Sequence, residues 1–233
     1  MDYRRLTLFA GHYGSGKTNL ALNWAYWLRD QGLPVTVADL DIVNPYFRTK
    51  DAEDELAEHG ISLISSAYAN SNLDVPAMPK EIYALVEGRA CYGVLDVGGD
   101  DRGALALGRY VPAIRAENDY EMLFVVNGAR PLTRTVEDTL SVFQEIERAC
   151  ALPFTGIVNN TNLGAATTPE DVLASRAYAD ELSSRTGLPI KMTSVEKRLA
   201  PALQGSIDAL FPLSILGLYY MEKEGMHYGE IDL

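Results

Sequence analysis

Cysteine and histidine are scarce in this chain: Cys91 and Cys150 are its two cysteines, and His12, His59 and His227 its three histidines. No Cys-x-x-Cys pair occurs, so the sequence offers neither a disulfide framework nor a zinc or iron–sulfur ligand set. Both cysteines read as buried and inert. Basic charge is also in short supply: 20 Lys and Arg face 32 Asp and Glu, a formal net charge of −12 over 233 residues. With no Lys/Arg run, that balance opposes sequence-independent binding to DNA or to anionic lipid, both of which need cations to meet phosphate. Long apolar runs are missing too. None approaches the roughly 20 residues that span a bilayer, and the short run after Met1–Arg5 lacks the hydrophobic region and cleavage site of a secretion signal. These absences lead to the expectation of a cytoplasmic protein with no nucleic-acid and no membrane partner. Without repeats or low-complexity linkers, residues 1–233 read as one domain, with a C-terminal helical segment over about 196–224 packed on it.

What the chain does have is Gly11-His12-Tyr13-Gly14-Ser15-Gly16-Lys17-Thr18, a full match to Gly, four free residues, Gly-Lys and then Ser or Thr. This pattern is a phosphate-binding loop when a strand precedes it and a helix follows. Leu6–Ala10 is an apolar run of strand length and Asn19–Asp30 an apolar-rich helix, so the flanks agree. Gly11, Gly14 and Gly16 let backbone N–H groups turn inward around phosphate oxygens. Lys17 is placed to reach the β- and γ-phosphates and Thr18 to offer its hydroxyl to Mg²⁺, while the helix start turns its positive dipole end to the anion. The nucleotide-binding run is therefore Gly11, His12, Tyr13, Gly14, Ser15, Gly16, Lys17, Thr18 and Asn19.

Two further stretches carry carboxylates to strand ends. Residues 34–39 read as a strand ending in Asp39-Leu40-Asp41, whose two acids point the same way, at the end where doubly wound sheets put their ligands. Side by side they repel unless a cation shares their charge; a solvated acidic turn is the alternative. Residues 92–97 read as a strand that delivers Asp96, followed by Gly98-Gly99, which lets backbone approach a γ-phosphate. Another strand ends in Asn159-Asn160-Thr161-Asn162. Its amides donate and accept at once, as base-edge recognition requires, and they equally suit a local turn. The stretch 68–79 reads as a loop: an active-site lid, a partner-binding segment or a plain surface connection.

Taken in this order, the phosphate loop, Asp-x-Asp, Asp-Val-Gly-Gly and the Asn-rich exit resemble the MinD/ParA group of ATPases, which includes the nucleotide-binding domains of cobyrinic-acid-amidase-like proteins. The resemblance spans most of residues 5–200. It implies an α/β fold, a single three-layer P-loop NTPase domain with a mostly parallel central sheet flanked by helices, and ATP and Mg²⁺ as cofactors. It implies Lys17 on the phosphates, Thr18, Asp39 and Asp96 around Mg²⁺, and Asp41 orienting the attacking water. Asn159 or Asn160 would contact adenine, and segments 42–48 and 97–103 would be the switches. Dimeric members of the group carry a second lysine where this chain has His12, and usually a Gly where it has Tyr13. A nucleotide-sandwich homodimer would then need another cation, for which Arg48 and Arg102 stand as candidates. The leading expectation is an ATP-hydrolysing switch sensed by a protein partner. A P-loop small-molecule kinase and a nucleotide sensor without turnover are the alternatives.

Overall fold

The computed structural model describes residues 1–41, 49–65, 80–99 and 101–216, without the side chains of 50, 51 and 101–104. The chain runs β1 (Leu6–Ala10), α1 (Lys17–Asp30), β2 (Val35–Leu40), α2 (Glu53–Glu58), β3 (Ser62–Ile64), α3 (Glu81–Glu87) and β4 (Tyr92–Val97). It continues through α4 (Asp101–Gly108), α5 (Val111–Glu117), β5 (Tyr120–Val126), α6 (Val136–Cys150), β6 (Gly156–Asn159), α7 (Pro169–Thr186), β7 (Ile190–Glu196), α8 (Ala200–Leu203) and β8 (Leu210–Leu213).

The strands form one sheet in the order β3-β2-β4-β1-β5-β6-β7-β8, and every pairing in it is parallel. Parallel strands need helical crossovers, and those crossovers cover both faces. Alternation along the strands divides the core accordingly. Leu6, Leu8 and Ala10 of β1 and Met122, Phe124 and Val126 of β5 pack with α3, α5 and α6 residues such as Ile82, Ile114 and Ile146. Phe9, Leu123 and Val125 face the opposite way, with Leu20, Trp24 and Leu28 of α1 and Leu56 of α2. The buried indole of Trp24 is satisfied by donating to the Thr7 hydroxyl at 3.1 Å, as an enclosed N–H requires. The result is a three-layer α/β domain.

Chain order reverses beside β1, whose neighbours are β4 and β5. Such a reversal opens a crevice at the carboxyl ends of the strands. The loop 11–16 leaves β1 there, and β2, β4 and β6 bring Asp39, Asp96 and Asn159 to the same end.

The C-terminal part departs from the helical segment expected over about 196–224. Ala200–Leu203 is a single helical turn, and Leu210–Leu213 is an eighth strand that pairs with β7. Pro212 hides this strand from a sequence reading, because proline cannot donate to a ladder; it is accommodated because β8 is the sheet edge. Residues 101–117, which overlap the expected switch 97–103 at 101–103, form two short helices interrupted at Arg109–Tyr110. The stretches 42–48 with Arg48, 68–79, Asp100, the Arg102 side chain and 217–233 lie outside what is described.

Candidate functional site

The loop between β1 and α1 is shaped by what its glycines permit. Gly14 and Gly16 sit at φ +75° and +91°, conformations that side chains disfavour. Gly11 is required for a different reason: a Cβ there would lie 2.3 Å from the Val125 carbonyl oxygen. Helix α1 starts from left-handed Gly16 with no side-chain cap and no acidic residue in its first turn. Its first intrahelical bond is Leu20 N to Gly16 O, so the N–H groups of Gly16, Lys17, Thr18 and Asn19 have no acceptor within the helix. That is the arrangement of an anion cradle.

Lys17 and Thr18 are buried. The Lys17 ammonium donates to the His12 carbonyl at 3.4 Å. The Thr18 hydroxyl donates to Asp96 Oδ2 at 2.6 Å, and a second hydroxyl, from Thr49, reaches the same oxygen at 3.1 Å. Asp39 is the register partner of Asp96 on the adjacent strand, and its Oδ1 accepts from the Asp41 backbone N–H at 2.9 Å. The three acids of the two expected carboxylate stretches thus gather beside the loop. Burial pushes the Asp96 carboxyl up to about 6; the charge of Asp41 adds to the rise, while Lys17 and the two hydroxyls oppose it.

Among the described residues, the buried side-chain atoms without a hydrogen-bond partner are Ser15 Oγ, Tyr26 Oη, Asp96 Oδ1 and Glu121 Oε1. Two of the four border the phosphate loop, where buried polar atoms call for a partner. No group of three or more His, Cys, Asp and Glu side chains that could hold a metal ion occurs among the described residues. A hydroxyl beside an orphaned carboxylate oxygen fits Mg²⁺ that also takes phosphate and water oxygens, as this ion prefers, rather than an all-protein cage.

Asn159 and Asn160, expected on a base, both have hydrogen-bond partners within the protein. Asn159 is fully buried, its Nδ2 donating to Ser175 Oγ at 2.8 Å and its Oδ1 accepting from Thr161 N. Asn160 donates from Nδ2 to the Ser15 carbonyl at 2.6 Å and accepts the Ser194 hydroxyl at 2.7 Å. Each amide donates one and accepts one hydrogen bond inside the protein, and Asn160 is a buttress of the phosphate loop. Asn19 turns its side-chain oxygen toward the C-terminal part of the chain, accepting the Leu216 N–H at 2.9 Å, and its backbone N–H is among those without a helical acceptor. His12 is half-buried, with Nδ1 2.9 Å from the Tyr13 carbonyl oxygen.

Sequence reasoning misses Thr49, which no motif marks, and Arg130, whose Nε donates to the Gly14 carbonyl at 3.1 Å. A separate cleft of about 300 Å³, lined in part by Tyr26, Trp27, His59 and Phe211, shares no residue with the loop.

Comparison with solved structures returns FtsY proteins. The signal recognition particle receptor FtsY from Elizabethkingia anophelis, in complex with GDP, has a TM-score of 0.52 at 15% identity, over 84% of this chain and 58% of that one. Chloroplast FtsY from Physcomitrella patens has a TM-score of 0.58 at 16% identity, over 83% and 59%. FtsY from Thermotoga maritima has a TM-score of 0.53 at 18% identity, over 82% and 61%. The fold is that of a P-loop NTPase. The chain spans less than two thirds of the length of these three relatives, and at such identities the likeness concerns the fold. No protein-family profile matches the sequence, and no curated protein matches it. Within the P-loop NTPase fold the described residues contain no helix long and apolar enough to cross a membrane.

Proposed function

We propose that this chain is a Mg²⁺-dependent ATP-binding and ATP-hydrolysing switch of the MinD/ParA type, read by a protein partner. The observation that carries the proposal is Asp96 Oδ1, buried and without a partner among the described residues, beside the Thr18 hydroxyl and the uncapped start of α1. In this reading the backbone of Gly11–Asn19 cradles the phosphates and Lys17 leaves the His12 carbonyl for the β- and γ-phosphates. Thr18 ligates Mg²⁺, and Asp39 and Asp96 hold its water shell. The bound ion supplies neutralisation of charge on the phosphate oxygens. Asp41 orients the attacking water. The partner senses segments 42–48 and 97–103, and a homodimer is one form that partnership takes.

The GDP in the Elizabethkingia anophelis FtsY structure makes GTP the rival nucleotide. The guanine signature Asn-Lys-x-Asp is absent from Asn160-Thr161-Asn162, which favours ATP. The test is diphosphate production from Mg-ATP and Mg-GTP by the purified chain, with Lys17→Ala and Asp41→Ala beside it. Slow ADP release that both substitutions abolish supports the proposal. Release only after a metabolite extract is added makes Asp41 the base for an acceptor hydroxyl, the work of a kinase; binding without release makes the chain a sensor.

A further inference from the structure

Arg130 lies in the turn that follows β5, and that turn has little freedom. Fully buried Asn127 accepts the Ala129 N–H on Oδ1 at 3.0 Å, and its carbonyl accepts the Arg130 N–H at 3.1 Å and the Thr133 hydroxyl at 2.7 Å. Pro131 restricts the residue before it to extended backbone, and Arg130 has φ −89° and ψ 142°. The side chain is thereby carried onto the phosphate loop, where Nε donates to the Gly14 carbonyl. A Cβ added to Gly14 would stand 3.8 Å from Nε and 3.9 Å from Cδ, so the arginine rests against the loop itself. The residue is exposed, and its Nη groups have no hydrogen-bond or ion-pair partner among the described residues.

A guanidinium carries five N–H donors in a rigid fork. Anchored through Nε on a carbonyl, it keeps the Nη pair in a fixed plane, which a flexible ammonium does not do. We infer that Arg130 is a second phosphate cation, supplied by the chain to its own nucleotide: its Nη groups take oxygens of the terminal phosphate while Nε stays on Gly14. This inference rests on the nucleotide-binding reading.

The test compares wild type, Arg130→Ala and Arg130→Lys for binding of Mg-ATP and Mg-ADP and for turnover, with thermal unfolding of the nucleotide-free proteins alongside. Mg-GTP and Mg-GDP replace them if wild type binds GTP more tightly. Arg130→Ala is expected to weaken triphosphate binding roughly tenfold or more, the effect of one charge-assisted hydrogen bond. Diphosphate binding should stay within about twofold, turnover should fall, and the unfolding midpoint should hold. Arg130→Lys should restore part of the loss, since it keeps the charge without the fork. Equal weakening of both nucleotides, or a lowered midpoint, would reduce Arg130 to a prop for Gly14 and overturn the inference; so would wild-type behaviour in Arg130→Ala. If wild type binds neither triphosphate, the nucleotide reading itself fails, an outcome distinct from the others.

Discussion

Thr18 and Asp96, 78 positions apart in sequence, are joined by a 2.6 Å hydrogen bond at the centre of the sheet's carboxyl edge. The bond ties the start of α1 to the end of β4 and holds one oxygen of a carboxylate that burial makes costly to ionise. Removing the hydroxyl leaves that oxygen with Thr49. Thr18→Ala should lower the stability of the nucleotide-free protein by about 1–3 kcal/mol, read by urea denaturation. It should also remove the difference between nucleotide affinities in Mg²⁺ and in EDTA. Asp96→Asn should abolish the same Mg²⁺ dependence while leaving nucleotide-free stability equal or higher, because a neutral amide is cheaper to bury than a carboxylate.

Asn160 provides a test that separates buttressing from base recognition. Its amide spans Ser15 and Ser194, so Asn160→Ala strands a loop carbonyl and leaves the Ser194 hydroxyl with only the Asn159 carbonyl at 3.4 Å, and should cost about 1–3 kcal/mol. ATP and GTP affinities should fall by the same factor. A change in the ratio of the two would restore the base contact expected from the sequence.

Helix α7 gives a pH-dependent expectation. Its N-terminus is a reciprocal capping box between Thr168 and Asp171, and the Thr168 backbone N–H, followed by its hydroxyl, holds the Asp171 carboxyl below its ordinary range. A carboxyl with a folded-state pKa below its unfolded value stabilises the fold above the unfolded pKa, and that stability is lost as pH falls through the folded value. Asp171→Ala should therefore be less stable than wild type at pH 7. The difference should shrink in denaturation curves taken below about pH 4, where the unfolded carboxyl titrates.

At the opposite end of the sheet, Arg5 and Glu117 form an ion pair whose side chains are each 8% exposed. The guanidinium also donates to the carbonyls of Leu85, Val86 and Cys91. Removing one partner of such a pair leaves an uncompensated buried charge, so Arg5→Ala should cost about 3–5 kcal/mol. Arg5→Met with Glu117→Leu should recover only the part owed to the unpaired Glu117 charge, because the Leu85, Val86 and Cys91 carbonyls still lack their donor, measured by thermal or urea unfolding.

The parts of this design written in adjacent residues are legible in the sequence. Leu6–Ala10, the glycine-punctuated loop and the apolar helix after it specify one another locally, and the strand ends that deliver Asp39 and Asp96 follow from apolar runs. What is illegible depends on distant partners. Asn160 meets a carbonyl 145 positions away and Arg130 one 116 positions away, so an amide suited to a base edge and an arginine in a turn give no sign of supporting the loop. The edge strand β8 is concealed by Pro212, and α4 and α5 are concealed by the glycines and proline that divide them.

Gly99, just beyond β4, is pressed against the phosphate loop: a Cβ there would meet Gly11 O at 2.7 Å and Tyr13 N at 2.8 Å. Main chain touches main chain, with no side chain between to absorb a displacement. The β4 exit can therefore come this close to the loop only with glycine at position 99, and any larger side chain there would force the two apart.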